Sequence, residues 1–157
     1  MKKKIVTILL AMVMCLTGIV SYNVHVYAQD ILAEDVDISE IMTEDALIGY
    51  SQSQNRGVYY AQGYSIINDA GGGKIGIAGI TDAAVRCKVS VTAIVERLSG
   101  GVWTRVTSYS ATNTNALTVG VSKTLLVANG YYYRVRSSHY AASDYGSSCT
   151  GALWMYN

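Results

Sequence analysis

Chemistry in this chain would have to start from His139, because the other histidine, His25, falls in a leader that the sequence marks for removal. An imidazole base needs a nucleophile within hydrogen-bond reach and an acid to orient it. Ser138 is adjacent but points the other way in a strand. Ser65, in G-Y-S-I-I, lacks the second glycine of a nucleophile elbow. Asp144 lies near enough in sequence to orient the ring. A zinc site would need three or four His, Cys or carboxylate ligands at definite spacings, and a single histidine does not supply them. The run Gly71-Gly72-Gly73-Lys74 falls short of a phosphate loop, since Ile75 stands where a magnesium-binding Ser or Thr belongs and no helix follows. From Gly49 onward the only acids are Asp69, Asp82, Glu96 and Asp144, and three of them sit in or beside turns, which is poor material for a paired-carboxylate glycosidase. The expectation is a non-enzymatic chain with no catalytic residue, no metal and no cofactor.

Recognition is better supplied. In Gly130–Tyr140, G-Y-Y-Y-R-V-R-S-S-H-Y, one parity carries Tyr131, Tyr133, Val135, Ser137 and His139, and the other carries Tyr132, Arg134, Arg136, Ser138 and Tyr140. The second set is an aromatic and guanidinium stripe, which Arg86 and Lys88 join if their strand shares the sheet. Tyrosine with arginine suits stacking on sugars or docking an anionic partner. The plainer account is that strand Lys and Arg discourage edge-to-edge aggregation while Tyr pairs brace neighbouring strands. The candidate binding face is Arg86, Lys88, Tyr132, Arg134, Arg136 and Tyr140, and its expected partner is an extracellular protein or a cell-surface glycan, not nucleic acid.

These residues need strands to present them. Ala84–Leu98 alternates most cleanly, with Val85, Cys87, Val89, Val91, Ala93 and Val95 on one face and Arg86, Lys88, Ser90, Thr92 and Glu96 on the other. Ile94 interrupts the pattern and points to a bulge or a partly covered outer face. Further strands are expected over Val58–Ile67, Lys74–Ile80, Val102–Ser110, Ala116–Val127, Tyr131–Tyr140 and Cys149–Tyr156. Turns are expected at Asn68–Gly73, Ser99–Gly101, Asn113–Asn115 and Asn129-Gly130. About seven short strands without a convincing helix predict an all-β fold, an antiparallel β-sandwich or, alternatively, a small β-barrel. Thirteen tyrosines and no phenylalanine suit thin sheets with one side wet.

The chain begins with Lys2, Lys3 and Lys4, an apolar run from Ile5 to Val20, and V-H-V-Y-A. This reads as a secretory signal peptide over 1–28, which implies a secreted, extracellular product with no stable membrane anchor after cleavage. Two cysteines then remain, Cys87 and Cys149. An even pair in an exported chain reads as a disulfide, and closing its loop of about 60 residues would disfavour the unfolded chain by roughly 4 kcal/mol. Two buried, reduced thiols are the alternative. Residues 29–48 carry seven acids and no Lys or Arg, whereas nine bases face four acids from Gly49 onward. That contrast reads as an acidic flexible segment over 29–57, ahead of a β-domain over 58–157. The sharper alternative is a pro-segment masking the basic face of a secreted antimicrobial or toxin-like protein.

G-Y-S-I-I-N at Gly63–Asn68, the A-V-R-C-K-V-S-V-T-A strand and G-Y-Y-Y-R-V-R-S-S-H resemble a family of small secreted proteins of Gram-positive bacteria that has no assigned function. The resemblance covers roughly Tyr59–Trp154. It implies secretion and a β fold, and it transfers no catalytic residue.

Overall fold

Two strands of unusual length carry the architecture. β5 runs Lys74–Ser99 and β6 runs Val102–Leu126, antiparallel along nearly their whole length. Gly100 and Gly101 join them with φ of 59° and 80°, the left-handed conformation a two-residue hairpin demands. The sequence pattern divides each of these strands in two; the structure fuses the pieces. Between Asp82 and Cys87 the β5–β6 register breaks, and there β5 changes partners, from β4 (Tyr60–Gly71) to β7 (Tyr131–Ala141).

The computed structural model describes residues 33–53 and 57–156. The leader expected over 1–28 lies outside the described residues. Nine strands are described, all joined in one antiparallel sheet that bends over on itself into two facing layers. The first layer has the order β2 (Leu47–Tyr50), β4, the first half of β5, the second half of β6, and β1 (Ala33–Asp35). The second has the first half of β6, the second half of β5, β7, β8 (Asp144–Cys149) and β3 (Gln52–Ser53). β9 (Leu153–Met155) pairs with the other half of β7. The sheet stays open, with β1 and β3 at its ends, so the two-layer sandwich holds and the barrel does not. The expected seven short strands become nine, two of them long.

Between the layers, Ile67, Ile75, Ile77 and Leu125 of the first meet Ala93, Val95, Tyr133, Val135 and Met155 of the second. Each large side chain so buried stabilises the fold by about 1.5–3 kcal/mol.

The acidic segment departs from expectation. Within 33–53 it forms β1, a single helical turn α1 (Ile38–Ile41), β2 and β3. Asp37 caps α1 by accepting from the Ser39 amide at 2.8 Å. Ile41 is buried against Ile66 and Ala78 on the outer side of the first layer, with Val36, Ile38 and Ala46 around it. A Cβ on Gly120 would stand 2.7 Å from the Ile38 Cδ1, so that glycine makes room for the cover. Asp35 pairs with Lys123, and Ser122 donates to the Val36 carbonyl at 2.6 Å. The acids face water while the aliphatic residues among them complete a core.

The expected disulfide is absent: Cys87 and Cys149 are both free. Cys87 shares the inward parity of Val89 and packs against the Tyr60, Ala83, Val89 and Ala141 cluster. Cys149 is exposed, because in β8 the inward residues are Asp144, Gly146 and Ser148. One sulfur faces the interior and the other faces solvent.

Candidate functional site

Residues with chemical character gather in two places, on the two faces of β7. Along this strand Tyr133, Val135, Ser137 and His139 are buried, while Tyr132, Arg136 and Tyr140 are exposed and Arg134 and Ser138 are partly so.

On the inward face lies a hydrogen-bonded chain that crosses between the layers. Ser65 Oγ of β4 donates to Ser137 Oγ of β7 at 2.7 Å. Ser65 Oγ and Ser148 Oγ share a hydrogen bond at 2.7 Å, and Ser148 Oγ shares another with His139 Nε2 at 2.7 Å. His139 Nδ1 is hydrogen-bonded to Thr81 Oγ1 at 2.8 Å, and Thr81 Oγ1 donates to the Ser90 carbonyl at 3.1 Å. Ser65, Thr81, Ser137 and His139 are fully buried and Ser148 nearly so. The layers come this close because the facing residues are small. A Cβ on Gly63 would fall 2.5 Å from the His139 ring, and one on Gly79 about 3 Å from Val91, Ala93 and Ser137.

Ser148 and His139 are a hydroxyl and an imidazole at reacting distance, but the surroundings work against transfer. Burial lowers the ring's pKa to about 4, against a smaller opposing pull from Asp82, so it is a weak proton acceptor at neutral pH. Its second nitrogen meets a hydroxyl and not a carboxylate. Asp144, the acid expected to orient the ring, is occupied elsewhere: Oδ2 accepts from the amides of Tyr59 (2.7 Å) and Tyr60 (3.2 Å), and Oδ1 from Ser143 Oγ. The chain fastens the two layers together. Among the described residues no group of three or more His, Cys, Asp or Glu is placed to hold a metal ion.

The outward face is open. Arg134 and Arg136 converge on Glu96 of β5, Arg134 through Nε at 2.7 Å and Arg136 through Nη2 at 2.9 Å. Burial pushes the Glu96 pKa up, but the hydrogen bonds and charge of the two guanidiniums outweigh it and hold the carboxyl below its ordinary value. Arg134 also stacks over the Trp103 ring, 4.2 Å from its centroid. At one end of the face Tyr132 packs on Trp154 with ring centroids 4.8 Å apart; at the other Tyr140 lies 6.4 Å from Tyr145. The span from Tyr132 to Tyr140 is about 27 Å at strand rise. Thr92, Ser110, Ser138 and Ser147 occupy the ground between, in register across four strands. Lys88 lines a hollow of about 210 Å³ with Ser90, Tyr140 and Ala142. Arg86 stands beyond it at the bend, donating to the Asn115 carbonyl at 3.2 Å.

The chain matches no family model, no curated protein and no solved structure. Its site is therefore defined by geometry alone.

Lys88, Tyr132, Arg134, Arg136 and Tyr140 lie on one side of the second layer, at even positions of β5 and β7, whereas Arg86 sits in the bend, outside the β5–β7 pairing. Sequence reasoning missed Trp103, Trp154, Tyr145 and the clamp on Glu96. Glu96 shares the parity of Arg86 and Lys88, which is a signal in plain view. Its pairing with Arg134 needs the β5–β7 register, and no residue pattern announces that register.

Proposed function

We propose that this is a secreted, non-enzymatic binding protein that engages a cell-surface glycan through the outer face of its second layer. The observation that carries the reading is the pair of exposed aromatic clusters, Tyr132 with Trp154 and Tyr140 with Tyr145, at the two ends of one polar face. Aromatic rings present an apolar surface with a polar rim, the form that stacks on sugar rings. The hydroxyls of Thr92, Ser110 and Ser138 between them offer donors and acceptors to sugar hydroxyls. Exposed aromatics at the two ends of an open sheet face suit an extended polymer better than a small molecule, which a concave pocket would enclose.

The alternative, an antimicrobial restrained by an acidic pro-segment, is less well supported. Val36, Ile38, Ile41 and Ala46 cover the outer side of the first layer, away from the Tyr/Arg stripe, and β2 adds an edge strand to β4. Cutting the segment away would uncover Ile66 and Ala78 and take Leu47 from the core between the layers, without baring the stripe.

Both tryptophans of the chain, Trp103 and Trp154, lie on the proposed surface, so intrinsic fluorescence reads it directly. Titration with fragments of cell-wall polysaccharide is expected to shift the emission, and Tyr132→Ala/Trp154→Ala to weaken binding about tenfold, or 1.4 kcal/mol. A saturable interaction that the double variant leaves intact would refute the assignment.

A further inference from the structure

The charges of the outer face point to a narrower class of ligand. Its bases are Lys88, Arg105, Arg134 and Arg136, with Arg86 at the adjoining bend, and among the described residues its one acid is Glu96. Glu96 is taken up by two of those bases, and Lys88 forms no ion pair among the described residues. On the far layer Glu34 and Glu40 line a hollow with Asp69 and Lys74, and Asp35 is paired with Lys123. Acids outnumber bases there, so one broad side of the molecule is basic and the other is acidic on balance. Such a field draws in polyanions and repels them from the wrong side.

Resting on the glycan-binding reading above, we infer that the polymer is an acidic polysaccharide whose sugar units carry carboxylates, one unit seating in the hollow formed by Lys88, Ser90, Tyr140 and Ala142. The choice of carboxylate follows from the hollow itself. Tyr140 and Lys88 line the same space of about 210 Å³, which offers stacking and charge neutralisation to one sugar unit. A uronic acid has its ring and its charge in one residue; a phosphate-linked polymer places the charge between rings. The floor is held in shape by two features. Ala142 adopts φ of 50° in the tight connection between β7 and β8, and its amide donates to the Lys88 carbonyl at 2.9 Å. A non-glycine residue at positive φ persists only when its surroundings enforce it. Lys88 and the turn that carries Ala142 are therefore tied together backbone to backbone. Tyr140 is exposed and free to stack, with Tyr145 beside it. Further along the strand, Arg136 keeps half its side chain in water while bonded to Glu96, in position for a second carboxylate of a bound polymer.

The test uses the whole chain and one polymer in two charge states, polygalacturonate and its methyl ester, with Trp fluorescence as the readout. The free acid is expected to bind, and raising salt from about 0.02 M to about 0.3 M to weaken it roughly tenfold, because the charges concerned are exposed to screening. The methyl ester is expected to bind at least about tenfold more weakly than the acid, and Lys88→Gln to close most of that gap. Lys88 is exposed, so unchanged melting of Lys88→Gln serves as the folding control. If acid and ester bind alike and Tyr132→Ala/Trp154→Ala weakens both, the ligand is a neutral glycan: the inference falls and the binding face stands. Binding to a glycerol-phosphate polymer but not to polygalacturonate also overturns it. If the acid binds and neither variant matters, the face itself is wrong and both readings fall.

Discussion

The two faces of β7 hold similar residue types and do opposite things. Inward, Ser137 and His139 join Ser65, Thr81 and Ser148 in a dry chain with both ring nitrogens bonded. Outward, Tyr132, Arg136 and Tyr140 stand in solvent, and the charges among them are only partly paired. The residues that look most like catalytic machinery are sealed into the joint between layers, and those with no reaction chemistry are the accessible ones. Burial, more than residue type, separates the two faces.

The contrast can be broken most forcefully from the inside. Gly63→Val would drive a side chain into the His139 ring, which has hydrogen bonds at both ends and nowhere to move. A loss of about 3 kcal/mol or more in urea unfolding is expected, with the outer face unaltered in whatever fraction remains folded. A loss below about 1 kcal/mol would mean that the layers are not held at the described spacing.

Acid titration probes the same joint more gently. The His139 pKa is about 4 in the fold and 6.5 in the unfolded chain, so the unfolded state takes up the proton first as pH falls. This contribution is fully present above pH 6.5 and is lost progressively down to about pH 4, a change of about 3 kcal/mol. His139→Gln should flatten unfolding free energy across that window. A slope unchanged by the substitution would assign it to other groups.

Ile41→Ala asks whether the acidic cover belongs to the fold. Removing a buried isoleucine costs about 2 kcal/mol or more. Denaturant unfolding that does not register the change would return residues 33–46 to the status of an appended tail.

The smallest effect sharpens the outer face. Glu96→Gln should lower stability by about 1 kcal/mol, the value of a partly exposed ion pair, while releasing two guanidiniums. Affinity for an acidic polymer should rise as stability falls. Weaker binding would show that Glu96 orients Arg134 and Arg136 and does not compete with the ligand for them.

Much of this arrangement was legible in the residues. Period-two alternation separated Val89, Val91, Ala93 and Val95 from Lys88, Ser90 and Thr92; it failed at Ala84–Arg86, where three successive residues are exposed. The bulge suggested by Ile94 lies one step on, between Val95 and Glu96. Gly72-Gly73 and Gly100-Gly101 marked their hairpins, each with both residues at positive φ. The long strands were not legible, because the bend at Ala83–Arg86 carries no glycine or proline to announce it. Asn113–Asn115, with turn chemistry, stays inside β6. Cys149 shares the sequence parity of Leu153 and Met155 yet points to solvent. Thr150 pairs with Val135 and the strand breaks beside it, which resets the alternation. In the N-terminal segment charge masked structure: seven acids suggested a solvated tail, while Ile38 and Ile41 fill a groove that only the folded sheet creates.

The most direct measurement is retention of the purified protein by insoluble cell-wall polysaccharide, comparing Tyr132→Ala/Trp154→Ala with His139→Ala well below their melting temperatures. The account predicts retention reduced about tenfold in the first and unchanged within about twofold in the second, although the second is the less stable protein. Retention that follows His139 and ignores the aromatic pair would place the function in the interior and contradict it.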